Sequence, residues 1–176
     1  RRNLQHVQRV LCYGSDGEIP GNYGRKMLVM DYCKGNMKAE LISIGTEILL
    51  GEITDTNSAY LASQLPLLGL DLYWISTVGD NRKRLVEVLE RAWKRSDVII
   101  TTGGLGPTED DVTREALADL LNENPYLDND LEKWLRELFS SRNMLMPERN
   151  LKQATLIPSS KPLHNTRGTA PGWCIE

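Results

Sequence analysis

From residue 37 onward, apolar and polar positions follow the periods of strands and helices in turn. Residues 39–44 form a short, mostly apolar run that Gly45 ends, which is typical of a buried strand. Asn57 can cap the segment that follows, where apolar residues recur at helical spacing until Pro66. The pattern therefore opens with a strand and then a helix.

The same pattern repeats along the rest of the chain. Four further strand patterns follow, at residues 70–78, 98–101, 154–158 and 173–175. Helical patterns lie between them, in the segment that Asp80 and Asn81 open and at residues 112–121 and 131–139. Strands separated by helices imply right-handed crossovers and a mostly parallel sheet covered on both faces. The sequence predicts an α/β fold of three layers, α/β/α.

Residues 1–36 do not share this pattern. They have no sustained period and carry six basic and three acidic side chains, a net charge of +3 that leaves −6 for residues 37–176. Because the segment also begins without a methionine, we expect an appendage that is poorly ordered or not native to the domain. A basic interaction arm is the alternative. The domain itself is assigned to residues 37–176.

Composition narrows the class of protein. A chain of 176 residues of which 40% are hydrophobic can bury one substantial core. No apolar run is long enough to span a bilayer and no secretory start is visible, so we expect a cytoplasmic protein without a membrane partner. The net charge of −3, with acids and bases interspersed, argues against nucleic acid as a ligand. The cysteines show no CxxC spacing, which leaves zinc sites and disulfides unsupported.

The segment TTGGLGPTEDDVT, residues 101–113, places glycines, hydroxyls and acids where a strand passes into a helix. Gly103, Gly104 and Gly106 let the backbone turn sharply and approach a ligand, and amide groups there can bind anionic oxygens. A phosphate-bearing small molecule is the expected ligand. The segment matches neither GxGxxG nor GxxxxGK[ST] and contains no lysine, which disfavours a dinucleotide-binding fold and a P-loop.

Asp110 and Asp111 have two interpretations. If Thr108 caps the following helix, Asp111 lies three residues later and completes a capping box, worth about 1 kcal/mol. If Thr113 is the cap instead, both aspartates stay in the loop and can hold Mg²⁺ or orient a nucleophile. Acids near a helix start also suit the helix dipole, so the segment by itself favours capping.

Glu47 lies in the polar loop that follows the first strand. The carboxyl ends of parallel strands share one edge of the sheet, so Glu47, Asp110 and Asp111 would face one crevice. Three carboxylates beside a phosphate can hold a divalent ion, since such ions bridge carboxylate and phosphate oxygens. The alternative is that Glu47 binds backbone amides in its own turn. The presence of Glu47 at the same edge favours the interpretation in which Asp110 and Asp111 hold a metal ion or orient a nucleophile over the one in which they cap the helix.

Other loop positions are candidates for binding ribose or phosphate. They are Gly45, Thr46, Asn57, Thr102, Thr108, Lys152 and, in a turn-rich stretch, Asn165. Hydroxyls and amides also satisfy the backbone of loops, and a lysine is more often solvated, so each position alone indicates little.

Several segments together resemble the amino-terminal domain of CinA-like competence/damage-inducible proteins, in the molybdopterin-binding superfamily that includes MogA and MoaB. The segments are GTEILLG at 45–51, DTNS at 55–58, VGDN at 78–81, residues 102–113, NLKQA at 150–154 and NTRGTAPG at 165–172. They occur in the expected order over most of residues 37–176, which makes the resemblance specific.

The resemblance implies a three-layer fold and a pocket for a phosphate-bearing ligand at the glycine loop. Asp111 takes the position of the acid that follows GGTG in the pterin-handling relatives, but Leu105 replaces the threonine, which favours the CinA-like branch. That branch is associated with hydrolysis of ADP-ribose and related nucleotides, with Mg²⁺, Mn²⁺ or Co²⁺. Relatives also imply a homo-oligomer and a carboxy-terminal amidase domain that is absent here, and we expect residues 37–176 to be a first domain shortened at its C-terminal end.

The leading hypothesis is therefore hydrolysis of a nucleotide pyrophosphate such as ADP-ribose. Amides of the three loop glycines would hold a phosphate, while Asp111, with Asp110 and Glu47, would position a divalent ion and activate water. Two alternatives stay open. One is a module that binds molybdopterin or a nucleotide without chemistry, and the other is ATP-dependent adenylyl transfer to molybdopterin.

Overall fold

The computed structural model describes residues 9–13, 37–165 and 167–176, with side chains in the last two ranges. The strands in chain order are β1 (Arg9–Tyr13), β2 (Met37–Ile44), β3 (Leu70–Val78), β4 (Val98–Thr102), β5 (Tyr126–Leu127), β6 (Thr155–Leu156), β7 (Ser160–Leu163) and β8 (Gly172–Ile175). The α-helices are α1 (Thr46–Leu49), α2 (Thr56–Gln64), α3 (Arg82–Arg95), α4 (Thr113–Leu121) and α5 (Asn129–Ser141). Short 3-10 helices cover Leu65–Leu68 and Glu148–Ala154.

The described strands form a six-stranded sheet in the order β3-β2-β4-β1-β8-β7, and β5 pairs with β6 in a separate ribbon. β2 is parallel to both β3 and β4, and β1 is parallel to β4. β8 is antiparallel to β1 and to β7. The sheet is thus mostly parallel, and the predicted α/β class is confirmed.

Two apolar layers cover the sheet because successive residues of a strand point to opposite faces. On one face, Ile42, Ile44 and Ile99 pack with α3 and α4. On the other face, Leu41 and Ile100 pack with α2. β2 and β4, which are mostly apolar, are therefore buried on both sides, as expected for inner strands of such a sheet.

The starts of α3 and α4 agree with the predicted ones, α5 begins two residues earlier than predicted, and α1 was not predicted. Asn81 caps α3, where its side chain accepts the N–H of Arg84 at 3.1 Å. The predicted cap of α2 at Asn57 is wrong, because Asp55 precedes the helix and accepts the N–H of Ser58 at 2.9 Å. Asn57 instead lies inside the first turn, where its side chain faces the sheet edge.

The strand predicted at residues 154–158 is shorter in the structure. A 3-10 helix ends at Ala154, and β6 covers only the next two residues. A tight turn then begins, in which Ile157 and Ser160 bond each other through their backbone groups and the Ser160 hydroxyl. The turn starts β7, which was not predicted from the sequence.

β1 lies within the segment that was excluded from the fold on sequence grounds. It pairs with β4 along its whole length, from Arg9 beside Val98 to Tyr13 beside Thr102. β8 borders its other edge, so β1 occupies an inner position of the sheet. The expectation for residues 1–8 and 14–36 lies outside the described residues. Within the described ranges, no helix combines the length and the apolar character that a membrane crossing requires.

Candidate functional site

A cavity of about 460 Å³ opens at the carboxyl ends of β2, β3 and β4. Loops that follow these three strands supply much of its wall, through Glu47, Asp80 and residues 103–107. Gln153 of the second 3-10 helix and the loop that precedes β8 complete the described wall. This is the sheet edge at which the sequence placed a binding site, and such edges are where open α/β sheets bind ligands.

The glycine loop, defined here as residues 103–111, is anchored to α4 through its carbonyl oxygens. The carbonyl of Gly103 accepts the hydroxyl of Thr113 at 2.9 Å, and that of Gly104 accepts the N–H of Thr113 at 3.2 Å. The carbonyl of Leu105 accepts the guanidinium of Arg114 at 2.6 Å. The N–H groups of Gly104 and Leu105 have no hydrogen-bond partner among the described residues, so they remain for an anion in the cavity.

Glycine is required at two positions of this loop. Gly103 has a φ of 99° and Gly104 a φ of 63°, which L side chains rarely adopt. A Cβ at Gly103 would collide with the carbonyl oxygen of Ile44, and one at Gly104 with the hydroxyl of Thr113. The close contact of this loop with β2 and α4 therefore depends on the absence of side chains.

Asp111 stabilises the glycine loop by hydrogen bonds. Its Oδ1 accepts the N–H of Gly106 at 2.8 Å, and its Oδ2 accepts the N–H and the hydroxyl of Thr108 at 2.9 and 2.5 Å. α4 begins only at Thr113, with no side-chain cap at Val112, so the capping box considered for Thr108 does not form. The amide of Gly106, predicted to hold a phosphate, is used by Asp111 instead.

Lys152 also stabilises the glycine loop. Its ammonium group donates to the carbonyls of Thr108 and Asp111, at 2.8 and 2.6 Å, and lies 3.0 Å from Oε1 of Glu115. An ammonium group has three N–H donors, so these contacts use all of them. Lys152 is absent from the cavity wall as described, and it fixes the loop backbone where an anion partner was predicted.

The three predicted carboxylates, Glu47, Asp110 and Asp111, all lie in the cavity wall. The exposed carboxylate of Glu47 folds back over Gly45 and has no hydrogen-bond partner among the described residues. The nearby Thr108 hydroxyl lowers the pKa of Asp110, with a smaller contribution from Lys152, so Asp110 is ionised at neutral pH. Both side chains can therefore accept from a ligand or contact a cation.

The described residues contain no group of three His, Cys, Asp or Glu side chains arranged to hold a metal ion. The predicted centre of three carboxylates is thus not preformed, because Asp111 turns its oxygens toward loop amides. A divalent ion that keeps its waters needs only one or two carboxylates when phosphate oxygens complete its shell. Glu47 and Asp110 fit this looser requirement.

Asp80 is a wall residue that was not predicted as part of the site. Its carboxylate accepts the N–H of Thr46 at 2.8 Å, and its own N–H donates to the Thr46 hydroxyl at 3.1 Å. This reciprocal pair joins the loops that follow β2 and β3. The signal in the sequence was its position directly after a strand, as for Glu47 and Asp110.

A second polar cluster lies on the α2 side of the same edge. Asn57 donates to the hydroxyl of Thr102 at 3.2 Å, and buried Ser43 contacts both Asp55 and Ser58. These groups satisfy one another and join α2 to β2 and β4. Of the predicted ligand-binding positions, the described cavity wall does not include Gly45, Thr46, Asn57, Thr102, Thr108 or Lys152.

Asn165 does line the cavity, together with Gly168, Thr169 and Ala170 of its own loop. Its Oδ1 accepts the N–H groups of Arg167 and Gly168, each at 2.9 Å, and its Nδ2 donates to the carbonyl of Ala170 at 3.2 Å. The side chain thus shapes the loop from within. Asn165 therefore holds this part of the wall in place.

Comparisons with known proteins identify a family and several similar proteins. A family model described as "Probable molybdopterin binding domain" matches residues 40–174. A CinA-like protein of Thermomicrobium roseum is 51% identical over 140 residues, which cover 80% of this chain and 34% of that protein. A CinA-like protein of Deinococcus deserti is 51% identical over 138 residues, which cover 78% of this chain and 34% of that protein. The chain therefore spans about a third of the length of these relatives.

A solved structure is also similar. It is CinA of Thermoplasma acidophilum, a protein described as having unknown function. It shares 32% sequence identity with this chain at a TM-score of 0.71, and the match covers 79% of this chain and 82% of that one. The family match over residues 40–174 includes the glycine loop and the loop before β8.

Proposed function

The chain belongs to the molybdopterin-binding domain family and, within it, to the CinA-like proteins, and from this premise we propose that it hydrolyses the pyrophosphate bond of a nucleotide such as ADP-ribose. The observation that carries the proposal is the pair of adjacent amides at Gly104 and Leu105. Their carbonyls accept from Thr113 and Arg114, while their N–H groups lie in the cavity wall without a partner among the described residues. A phosphate oxygen is the natural acceptor for such a pair.

The charge of the cavity supports a metal-bound phosphate. The described wall contains four carboxylates, those of Glu47, Asp80, Asp110 and Asp111, and no lysine or arginine. A pyrophosphate carries further negative charge, which the amides alone do not neutralise. We therefore propose that Glu47 and Asp110 bind a divalent ion, Mg²⁺, Mn²⁺ or Co²⁺, that enters with the substrate. When bound, such an ion lowers the pKa of a coordinated water and neutralises phosphate charge.

The remaining residues position the substrate. The amides of Gly104 and Leu105 hold one phosphate and stabilise the charge that develops on it in the transition state. Asp111 and Lys152 keep these amides in place through the loop backbone. Asp80 holds the loop of Glu47 beside them. In this assignment Asp111 is a positioning residue, whereas the sequence had made it the leading candidate for metal and water handling.

Binding of molybdopterin or a nucleotide without hydrolysis is the second candidate. The description of the matching family model favours it, and so does the lack of a preformed three-carboxylate group among the described residues. Adenylyl transfer to molybdopterin is a variant of this candidate. It uses the same phosphate cradle and additionally requires ATP.

A direct assay distinguishes these functions. The folded protein is incubated with ADP-ribose and Mg²⁺, Mn²⁺ or Co²⁺, and with EDTA as the control. Formation of AMP and ribose 5-phosphate only in the presence of metal is the expected result. Nucleotide binding without either product supports the binding module, and consumption of ATP that requires molybdopterin supports adenylyl transfer.

A further inference from the structure

The cavity wall contains a neutral amide side chain that the proposed mechanism does not use. Gln153 lies near the end of the 3-10 helix Glu148–Ala154 and lines the cavity. Its exposed fraction is only 2%, so it is a built part of the wall. The preceding residue, Lys152, anchors the same helix to the glycine loop, which fixes the position of Gln153 relative to the phosphate cradle.

The orientation of the Gln153 carboxamide is set by a buried neighbour. Nδ2 of Asn150 donates to Oε1 of Gln153 at 2.9 Å, and Asn150 is itself 6% exposed. With Oε1 held in this way, Nε2 is the free end of the amide. Nε2 makes no hydrogen bond to a described residue, and it is not among the fully enclosed polar atoms that lack a partner. It is therefore open to the cavity.

A donor in this position has a chemical consequence. A buried amide N–H without an acceptor is unfavourable. A ligand oxygen that accepts a hydrogen bond from it and displaces confined water therefore makes binding more favourable. The other amide side chain in the described wall, Asn165, donates to the carbonyl of Ala170. The carboxylates of the wall are acceptors when ionised. Nε2 of Gln153 thus adds an oriented neutral donor to an otherwise acidic wall.

We propose that Gln153 is a ligand-binding residue, whose Nε2 donates to an oxygen of the bound molecule. This inference rests on the proposed function, because both require a phosphate-bearing ligand in the cavity. The oxygen belongs either to a phosphate or to the organic part of the ligand. Asn150 is a positioning residue in this arrangement, since it prevents the amide from turning its Oε1 toward the ligand.

The test compares two substitutions of Gln153. Gln153→Glu keeps an oxygen for Asn150 and replaces the donor with an acceptor, and Gln153→Met removes the donor without adding charge. Affinity for the methylene-bridged analogue of ADP-ribose, which cannot be cleaved between its phosphates, is measured by calorimetry with Mg²⁺. We expect binding to weaken about tenfold or more in the first variant and about fivefold in the second. Thermal unfolding of each variant verifies that it is folded.

Gln64→Glu is the matched control, because it makes the same change of charge on α2, away from the cavity wall. It should bind the analogue as the unchanged protein does. Inorganic pyrophosphate is the second probe: parallel weakening for both probes assigns the contact to a phosphate oxygen, and weakening for the analogue alone assigns it to the organic part.

Three results would overturn the inference. Unchanged affinity in both folded variants of Gln153 contradicts the contact. Weakening in Gln153→Glu alone means that added charge, and not a lost donor, is responsible. Failure of the unchanged protein to bind either probe overturns this inference and the proposed function together. If the unchanged protein binds the analogue but does not cleave ADP-ribose, only the proposed hydrolysis fails.

Discussion

Two loops of this protein begin alike in sequence and differ in how their acids are used. The β2 loop, residues 45–55, and the glycine loop, residues 103–111, each follow an inner parallel strand and start with glycine. In the glycine loop, Asp111 accepts three hydrogen bonds from Gly106 and Thr108. In the β2 loop, Glu47 has no hydrogen-bond partner among the described residues, although it lies in the wall of the same cavity.

The difference teaches that the role of a carboxylate depends on which N–H groups the backbone presents to it. The glycine loop turns two amides inward, and Asp111 binds them. The β2 loop passes directly into the short helix α1, which uses its own backbone bonds, so Glu47 is left to the cavity. Substitutions in the glycine loop should therefore affect stability first, and those of Glu47 should affect activity.

The largest loss of stability is expected for Gly103→Ala. A Cβ there meets the carbonyl oxygen of Ile44, and the φ of 99° adds strain. We expect the free energy of unfolding to fall by about 3 kcal/mol or more, measured by urea denaturation. Gly51→Ala, at a φ of 74° with no atom within 4 Å of the new Cβ, should lose only about 1 kcal/mol. Equal losses in the two variants would contradict a steric role for Gly103.

Asp111→Ala should have the next largest effect. It removes the acceptor for the amides of Gly106 and Thr108, so we expect the free energy of unfolding to fall by about 2–3 kcal/mol and hydrolysis to be lost. Glu109→Ala, an exposed acid of the same loop, should change stability by no more than about 0.5 kcal/mol. Loss of hydrolysis in a fully stable Asp111→Ala protein would instead assign this side chain to the chemistry.

A smaller, pH-dependent effect is expected at Asp55 in the β2 loop. Burial raises the pKa of Asp55, but hydrogen bonds from Ser43 and Ser58 outweigh it and hold the pKa below its ordinary range. Because the folded-state pKa is depressed, the charge of Asp55 stabilises the protein above its unfolded pKa of about 3.9, and this contribution is lost as the pH falls through the folded value.

Asp55→Asn should accordingly lower the free energy of unfolding by about 1 kcal/mol at pH 7. The gap to the unchanged protein should narrow as the pH falls below about 3.9. Thermal unfolding of both proteins between neutral and acidic pH measures this gap. A gap of constant size down to full protonation would show that shape, and not charge, explains the role of Asp55.

Glu47→Gln should have the smallest effect on stability, within about 0.5 kcal/mol, because no described residue donates to this carboxylate. Hydrolysis of ADP-ribose should nevertheless fall about 100-fold, since the proposed ion loses a ligand. Glu52→Gln, an exposed acid of the same loop, should leave both quantities unchanged. A loss of stability comparable to that of Asp111→Ala would remove the contrast between the two loops.

The sequence predicted the layers of the fold and the edge that carries the cavity. It succeeded because the runs at residues 39–44 and 98–101 are mostly apolar on both faces and polar segments follow each strand. It failed at Gln153, which reads as an ordinary polar residue before a strand. Its burial depends on packing between the second 3-10 helix and the glycine loop, and no local pattern records that contact.

Side-chain roles within the predicted loops were also beyond the sequence. Lys152 is distant along the chain from Thr108, and only the packed fold brings its ammonium group to that carbonyl. The position of β1 shows the same limit. Five residues without a period on either side give no strand signal, yet Arg9–Tyr13 pairs with β4 along its full length.

The sequence by itself determined the order of the main strands and helices, the need for glycine at positions 103 and 104, and the gathering of acids at one sheet edge. Periodicity and turn chemistry are local properties, so they can be read along the chain. The tertiary structure decided that Asp111 stabilises its own loop and that Glu47 faces the cavity. Hydrogen bonds join groups that are close in space, and the approach of α4 and Lys152 to the glycine loop directs its amides toward Asp111 or toward the cavity.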